Sequence, residues 1–299
     1  GNTKTFGMIK QFFGTDFAER AVTVKEGDTL VTGAHTLHFV MAPMVHWPEV
    51  MVTYDEKDKV LFAADGFGTF GALNGNIFAD EVDFDRDWLD DARRYYTNIV
   101  GKYGMQVQNV LKKASTLDIR IICPLHGPIW RNNLAYLLEK YDIWSSYRPE
   151  VKGVMIAYAS MYGNTENLAN VLACKLADAG ITNLTVHDVS RSDVSELIAD
   201  SFKYSHLVLA APTYNNGIYP LMANYLEDMK ALMVQGRTVA VLGNGSWAPQ
   251  SAKLMEAKLA ELKNMTLLTE NFAVKSALHD SQMEQLQELC TKITDSVNA

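Results

Sequence analysis

The apolar positions of this chain change rhythm near Tyr147-Arg148-Pro149-Glu150-Val151-Lys152. Before that point, short apolar runs of strand length give way to helical spacing. Ala21–Val24, Leu37–Ala42, Val50–Tyr54 and Val60–Ala63 are predicted strands, and the polar turn Asp55-Glu56-Lys57-Asp58 joins the last two as a hairpin. Phe6–Phe13 reads as an amphipathic helix that Gly14 ends. Helices follow near Asp87–Gly101 and Met105–Ser115, the first opening with acids that suit its dipole. Ile119–Cys123 is a further buried strand, stopped by Pro124-Leu125-His126-Gly127-Pro128, and a helix over Asn132–Ser145 leads to the boundary.

Beyond the boundary the pattern becomes a regular alternation. Val154–Ala159, Leu184–Val189, Leu207–Ala211, Thr238–Leu242 and Leu267–Phe272 are nearly continuous apolar strands. Between and after them lie helices near Thr165–Ala179, Val194–Tyr204, Tyr219–Met233, Pro249–Leu262 and Ser281–Val297. Strands apolar on both faces, alternating with helices, imply an α/β fold with a doubly wound parallel sheet, in the flavodoxin-like order 2-1-3-4-5. Two domains are expected, 1–150 and 151–299. No internal repeat is present, which excludes a solenoid.

Composition narrows the class. Acidic residues (35) outnumber basic ones (27) for a net charge of −8, which argues against nucleic-acid binding through phosphate neutralisation. Apolar runs such as Val154–Ala159 fall far short of the roughly 20 residues that span a bilayer. Gly1–Thr5 begins no signal peptide, and the expected compartment is the cytoplasm. The three cysteines, Cys123, Cys174 and Cys290, form no Cys-x-x-Cys pair, so neither a disulfide framework nor a rubredoxin-type iron site is expected from them.

The first strand of the second domain ends in Ser160-Met161-Tyr162-Gly163-Asn164-Thr165-Glu166 and enters a helix. Backbone N–H groups, hydroxyls and an amide thus meet at a helix N-terminus, where the dipole favours an anion. No Lys or Arg is near and the Walker pattern is absent, which suits a phosphomonoester better than a magnesium-bound triphosphate. Two further strand ends flank the topological switch point: Pro212-Thr213-Tyr214-Asn215-Asn216-Gly217 and Gly243-Asn244-Gly245-Ser246-Trp247. Both combine glycines for close approach, amides and hydroxyls for ring edges, and aromatics able to stack on a flat heterocycle. Residues 152–299 resemble the flavodoxin family. The resemblance implies an FMN site built from Ser160, Met161, Tyr162, Gly163, Asn164, Thr165, Pro212, Thr213, Tyr214, Asn215, Gly217, Gly243, Asn244, Gly245, Ser246 and Trp247.

Of the seven histidines, His35, His38, His187, His206 and His279 read as structural. His46 and His126, with Asp65, stand in predicted loops after strands, where a rigid sheet can hold metal ligands beside open positions. The order His-x18-Asp-x60-His resembles the two-metal pattern of the metallo-β-lactamase superfamily, in which the aspartate bridges. Joined to an FMN domain, it makes the whole chain resemble a flavodiiron protein (A-type flavoprotein). The first half is then part of a metallo-β-lactamase-like αββα sandwich. The family implies reduction of O2 to water or of NO to N2O at a non-haem centre of two Fe, fed by FMN. His46 and His126 would each ligate one iron and Asp65 would bridge them.

The resemblance also implies a separate electron-donor protein, rubredoxin or a rubredoxin-like reductase, and a head-to-tail homodimer. One departure matters: the family's His-x-Glu-x-Asp-His cluster does not occur, since His35-Thr36-Leu37-His38 carries no acid. Two protein ligands per iron are too few for a stable site. Three explanations stay open: the cluster lies on a separate polypeptide, it is missing from this sequence, or this is a degenerate flavoprotein. The expectation is either a complementary N-terminal fragment beside His46, Asp65 and His126 or an empty cavity there, together with an incompletely covered sheet. The rival readings are a di-zinc hydrolase with a flavodoxin-like appendage and an FMN electron carrier.

Overall fold

The computed structural model describes residues 1–268 and 272–299. The chain forms two compact units, Gly1–Ser146 and Tyr147–Ala299.

In the first unit, α1 (Thr3–Phe13) precedes the strands β1 (Thr29–Thr32), β2 (His35–Met41), β3 (Met51–Asp55) and β4 (Val60–Phe62). Helices α2 (Phe84–Asp87), α3 (Leu89–Tyr95) and α4 (Gly104–Ala114) follow, then β5 (Ile121–Cys123) and α5 (Leu134–Ser145). The sheet order is β1-β2-β3-β4-β5, antiparallel except for the parallel β4–β5 pair. Val52, Tyr54, Leu61 and Ile122 enter one core with Tyr96, Tyr141 and Trp144. Elsewhere the unit is thinly covered: α1 buries none of its residues, and Phe12, Phe13, Val31 and Phe62 are exposed.

Several sequence expectations need correction here. Ala21–Val24 is no strand; of its residues only Val24 is buried, and the Val24 N–H donates to the Gly1 carbonyl at 3.0 Å. The edge strand β1 was not expected. The helix expected over Asp87–Gly101 is interrupted at Trp88, and it closes as a π-helical turn over Tyr96–Val100 and a 3-10 turn over Gly101–Tyr103.

The second unit has β6 (Val151–Tyr158), α6 (Asn164–Asp178), β7 (Leu184–Asp188), α7 (Val194–Lys203), β8 (Tyr204–Tyr214), β9 (Gly217–Ile218), α8 (Pro220–Ala231), β10 (Thr238–Asn244), α9 (Ser251–Leu259), β11 (Thr266–Leu267), β12 (Phe272–Val274) and α10 (Met283–Asn298). Its parallel core is ordered β7-β6-β8-β10, with β11 and β12 both on β10, which is the expected 2-1-3-4-5 arrangement. The fifth strand, expected over Leu267–Phe272, is divided between β11 and β12, and residues 269–271 lie outside those described. Separate apolar clusters cover the two faces, one around Phe202, Tyr225 and Met229, the other around Leu168, Leu172 and Ile293. The carboxyl ends of β6, β8 and β10 are thereby fixed in one row.

Candidate functional site

Those strand ends enclose a cavity of about 400 Å³. Its wall includes Ser160, Met161, Tyr162, Asn164 and Thr165 from the first loop, Pro212, Thr213 and Asn215 from the second, and Asn244, Gly245, Ser246 and Trp247 from the third. Gly163, Tyr214, Gly217 and Gly243 are not part of the wall, and the structure gives each another task. Gly163 is the N-cap of α6 at φ +85, and its N–H donates to Ser160 Oγ at 3.0 Å, which closes the loop. A Cβ on Gly243 would lie 2.9 Å from the Ala252 Cβ, so this glycine lets α9 approach β10. Tyr214 and Gly217 pair with each other across β8 and β9, and the Tyr214 ring meets Tyr219 edge-on.

Asn216 of the second loop also lines the cavity, as do Ala248 and Ser276, which were not anticipated. Ser276 could be traced only through the last strand, whose register the sequence did not resolve. It matters because Asn244 ties three loops together. The Asn244 Nδ2 donates to Thr165 Oγ1 (3.2 Å) and to the Ser276 carbonyl (2.8 Å), and the Ser276 N–H donates to Asn244 Oδ1 (3.0 Å). The Thr213 hydroxyl accepts from the N–H groups of Gln250 and Ser251, capping α9 from a distance. Among the described residues no Lys, Arg, Asp or Glu stands in the wall. Tyr162 and Trp247 are almost fully exposed at its mouth (87% and 89%). Uncharged donors at a helix N-terminus with exposed aromatics beside them match a phosphate carried by a flat heterocycle.

In the first unit His46, Asp65 and His126 come together at the ends of β2, β4 and β5. The two oxygens of Asp65 face different histidines: Oδ2 lies 3.5 Å from His46 Nε2, and Oδ1 lies 3.3 Å from His126 Nε2. Both separations exceed the usual hydrogen-bond range of about 2.7–3.2 Å. They match the spacing of two ligands on one ion, since bonds of about 2.0–2.2 Å at near-tetrahedral or octahedral angles place donors about 2.9–3.5 Å apart. The three residues do not offer three donor atoms within 4.8 Å of one another, so they do not surround a single ion. The chemistry of the donors fits a carboxylate shared by two cations, each also bound by one imidazole.

His35, Asp55 and Asp58 do converge within 4.8 Å, at the other end of the same strands. There His35 Nδ1 lies 2.7 Å from Asp55 Oδ2, a hydrogen bond that pins the hairpin and draws the Asp55 carboxyl below its usual range. His187 likewise pairs with Asp200 at 2.8 Å, an acid–histidine contact the sequence did not suggest.

The ligand loops are locally constrained. Met44, Ala64 and Phe67 hold left-handed backbone conformations (φ +66, +51 and +66) beside His46 and Asp65, and such outliers persist only where the surroundings fix them. The Leu125 N–H donates to the Ala64 carbonyl at 2.9 Å, and Gly127 (φ +81) packs directly on Thr69, so the His126 and Asp65 loops are joined twice. The buried Tyr95 ring lies 5.7 Å from that of His126; burial, then the Asp65 charge, pushes its phenol pKa up and keeps it a neutral donor.

Comparison with known proteins agrees with both units. The model of the ODP family beta lactamases matches residues 3–127, and that of the flavodoxins matches residues 156–291. An anaerobic nitric oxide reductase flavorubredoxin of Vibrio vulnificus is 32% identical over 245 residues, 80% of this chain and 49% of the relative. The chain thus spans about half the length of that relative. Among solved structures, the flavodiiron protein from Giardia intestinalis has a TM-score of 0.92 at 26% identity, covering 99% of this chain and 72% of its own. Rubredoxin oxygen:oxidoreductase from Desulfovibrio gigas has a TM-score of 0.90 at 26% identity, covering 99% and 74%. With a β-lactamase-type unit and a flavodoxin-type unit in one chain, and relatives that share both, this chain belongs to the flavodiiron protein family.

Proposed function

We propose that this chain is an oxidoreductase that passes electrons from an external donor protein through FMN to a pair of irons, where O2 is reduced to water or NO to N2O. The observation that carries the reading is the placement of His46 and His126 on opposite oxygens of Asp65, at 3.5 and 3.3 Å. Both substrates belong to the proposal, because the Vibrio vulnificus relative is named for nitric oxide and the Desulfovibrio gigas neighbour for oxygen. When bound, the flavin supplies single-electron transfer and the irons supply open positions for a diatomic molecule.

The chain's own residues divide the remaining work. Thr165, Asn164 and the first N–H groups of α6 would hold the phosphate, and Trp247 and Tyr162 would flank the ring. His46 would hold one iron, His126 the other, and the two oxygens of Asp65 would serve both. Tyr95 keeps its proton beside this centre. The further ligands come from a complementary segment bearing His-x-Glu-x-Asp-His. A head-to-tail homodimer brings the flavin of one copy to the metal residues of the other. A rubredoxin-type protein is the donor, and the setting is the cytoplasm.

Iron and flavin measured together in the native protein and in Asp65→Asn test this. The native protein should hold about two irons per flavin, and the variant should keep its flavin and lose iron, because an amide bridges two cations poorly. Zinc in place of iron would favour the hydrolase reading. Flavin without either metal would favour an electron carrier, a reading the self-contained cavity of the second unit supports.

A further inference from the structure

The end of the first sheet away from Asp65 gathers donor side chains from three points of the chain. His35 opens β2, Asp55 closes β3, and Asp58 stands in the turn that leads to β4. The register explains the meeting. Leu37 pairs with Asp55 across β2 and β3, so His35, two residues before Leu37, projects from the same face as Asp55. Asp55 is buried, and the turn orients its carboxylate. Oδ1 accepts from the Lys57 N–H at 3.1 Å, which leaves Oδ2 facing His35 Nδ1 at 2.7 Å.

The third donor has no other duty. Asp58 Oδ2 points at the same His35 Nδ1 from 3.9 Å, too far for a hydrogen bond, and among the described residues its carboxylate accepts none. The nearby His38 and Glu56 pair with each other at 3.0 Å, and Lys59 reaches Asp118 at 3.9 Å. One imidazole nitrogen and two carboxylate oxygens thus lie within 4.8 Å of one another. Two carboxylates around a neutral imidazole carry the charge that a divalent cation cancels. The nitrogen donor favours zinc and its first-row neighbours over magnesium or calcium, which prefer oxygen throughout. Ligands on one such ion stand about 2.9–3.5 Å apart. The 2.7 Å contact must therefore open slightly and the 3.9 Å gap must close, and the partly exposed His35 and exposed Asp58 side chains are free to make both shifts. The ion takes the Nδ1 lone pair, so the ring proton moves to Nε2.

We propose that His35, Asp55 and Asp58 bind one divalent cation of the zinc class, which ties the start of β2 to the β3–β4 hairpin. Three protein ligands leave the remaining positions to water. The site is independent of the flavin and of the iron reading at Asp65.

Zinc is the probe. Crystals of the flavin- and iron-loaded full chain soaked in zinc, with anomalous data on both sides of the zinc edge, should show an ion held by His35 Nδ1, Asp55 and Asp58. In calorimetric titration of the same protein, His35→Gln and Asp58→Asn should each weaken this zinc by at least about tenfold, since losing even an outer-shell partner costs that much. Zinc should also raise the thermal transition of the native protein more than those of the variants. Asp65→Asn should keep the site, which separates it from the iron centre. If His35→Gln lowers the zinc-free transition, Asp58→Asn, at an exposed turn position, carries the reading by itself. No zinc at these three residues, or zinc bound as tightly by both variants as by the native protein, would overturn the proposal.

Discussion

Gly127→Ala probes the junction that sets His126 against Asp65. Gly127 has φ +81, and a Cβ there would lie 2.1 Å from Cγ2 of Thr69, a residue only 3% exposed. Left-handed backbone costs a non-glycine residue about 1–2 kcal/mol. The overlap adds about 1–3 kcal/mol, because a methyl forced into a packed site moves its neighbours. The total expected is about 2–5 kcal/mol. Thr69→Ser removes the methyl that is struck and alone should cost about 1 kcal/mol of lost burial.

In the double variant the backbone strain remains but the overlap is gone, so the two changes should couple favourably by about 1–2 kcal/mol. Urea unfolding followed by tryptophan fluorescence reads the correct unit, since Trp47, Trp88, Trp130 and Trp144 lie in it and only Trp247 lies outside. A Gly127→Ala protein within about 0.5 kcal/mol of the native one, or strictly additive variants, would refute the close contact.

Three further outcomes follow from buried polar groups in the second unit. Arg237 is 1% exposed and donates to the carbonyls of Ser201, Phe202, Tyr147 and Gln235 at 2.7–2.9 Å, while burial pushes its pKa down to about 10. Arg237→Met would strand those acceptors and should cost at least about 3 kcal/mol in denaturant unfolding; a loss below about 1 kcal/mol would show them satisfied otherwise. Thr165 accepts from Asn244, which leaves its own proton for a ligand, so Thr165→Ala should weaken FMN binding by about 1–3 kcal/mol in a titration of the apo-protein. Unchanged affinity would remove Thr165 from the site. Burial lowers the His206 pKa, with both ring nitrogens at serine hydroxyls (2.8 and 2.9 Å). The neutral form is therefore favoured by folding: its contribution is full above the unfolded value of about 6.5 and is lost as pH falls through the lower folded value. Unfolding free energies measured across that window should lose this slope in His206→Gln, and an unaltered slope would assign it to another group.

How far the sequence could be read depended on burial. The parallel strands of the second unit are apolar on both faces, so β6, β8 and β10 were plain, although each extends beyond its apolar run. The edge strand β1 carries Thr29-Leu30-Val31-Thr32, all exposed, so no alternation against a core marks it. Val22 looked like part of a strand but stands 56% exposed. In the cavity, the loops were legible from their amides and hydroxyls. The separate duties of Gly163 and Gly243 were not, because a glycine near a ligand and a glycine under a helix look alike in sequence. His46, Asp65 and His126 could be named from their resemblance to a family pattern. That each imidazole meets a different oxygen of Asp65 is set by how β2, β4 and β5 end, which no spacing in the sequence encodes.

The most direct test of the account is a crystal structure of the flavin-loaded, iron-grown protein with anomalous scattering at the iron edge, read as the atoms within coordination distance of His46, Asp65 and His126. The account predicts two iron positions, Asp65 on both, His46 and His126 on different ions, and the remaining ligands from a His-x-Glu-x-Asp-His segment outside residues 1–299. A single ion shared by all three residues, a two-iron centre completed wholly by residues 1–299, or FMN in place with no iron at Asp65 would contradict it.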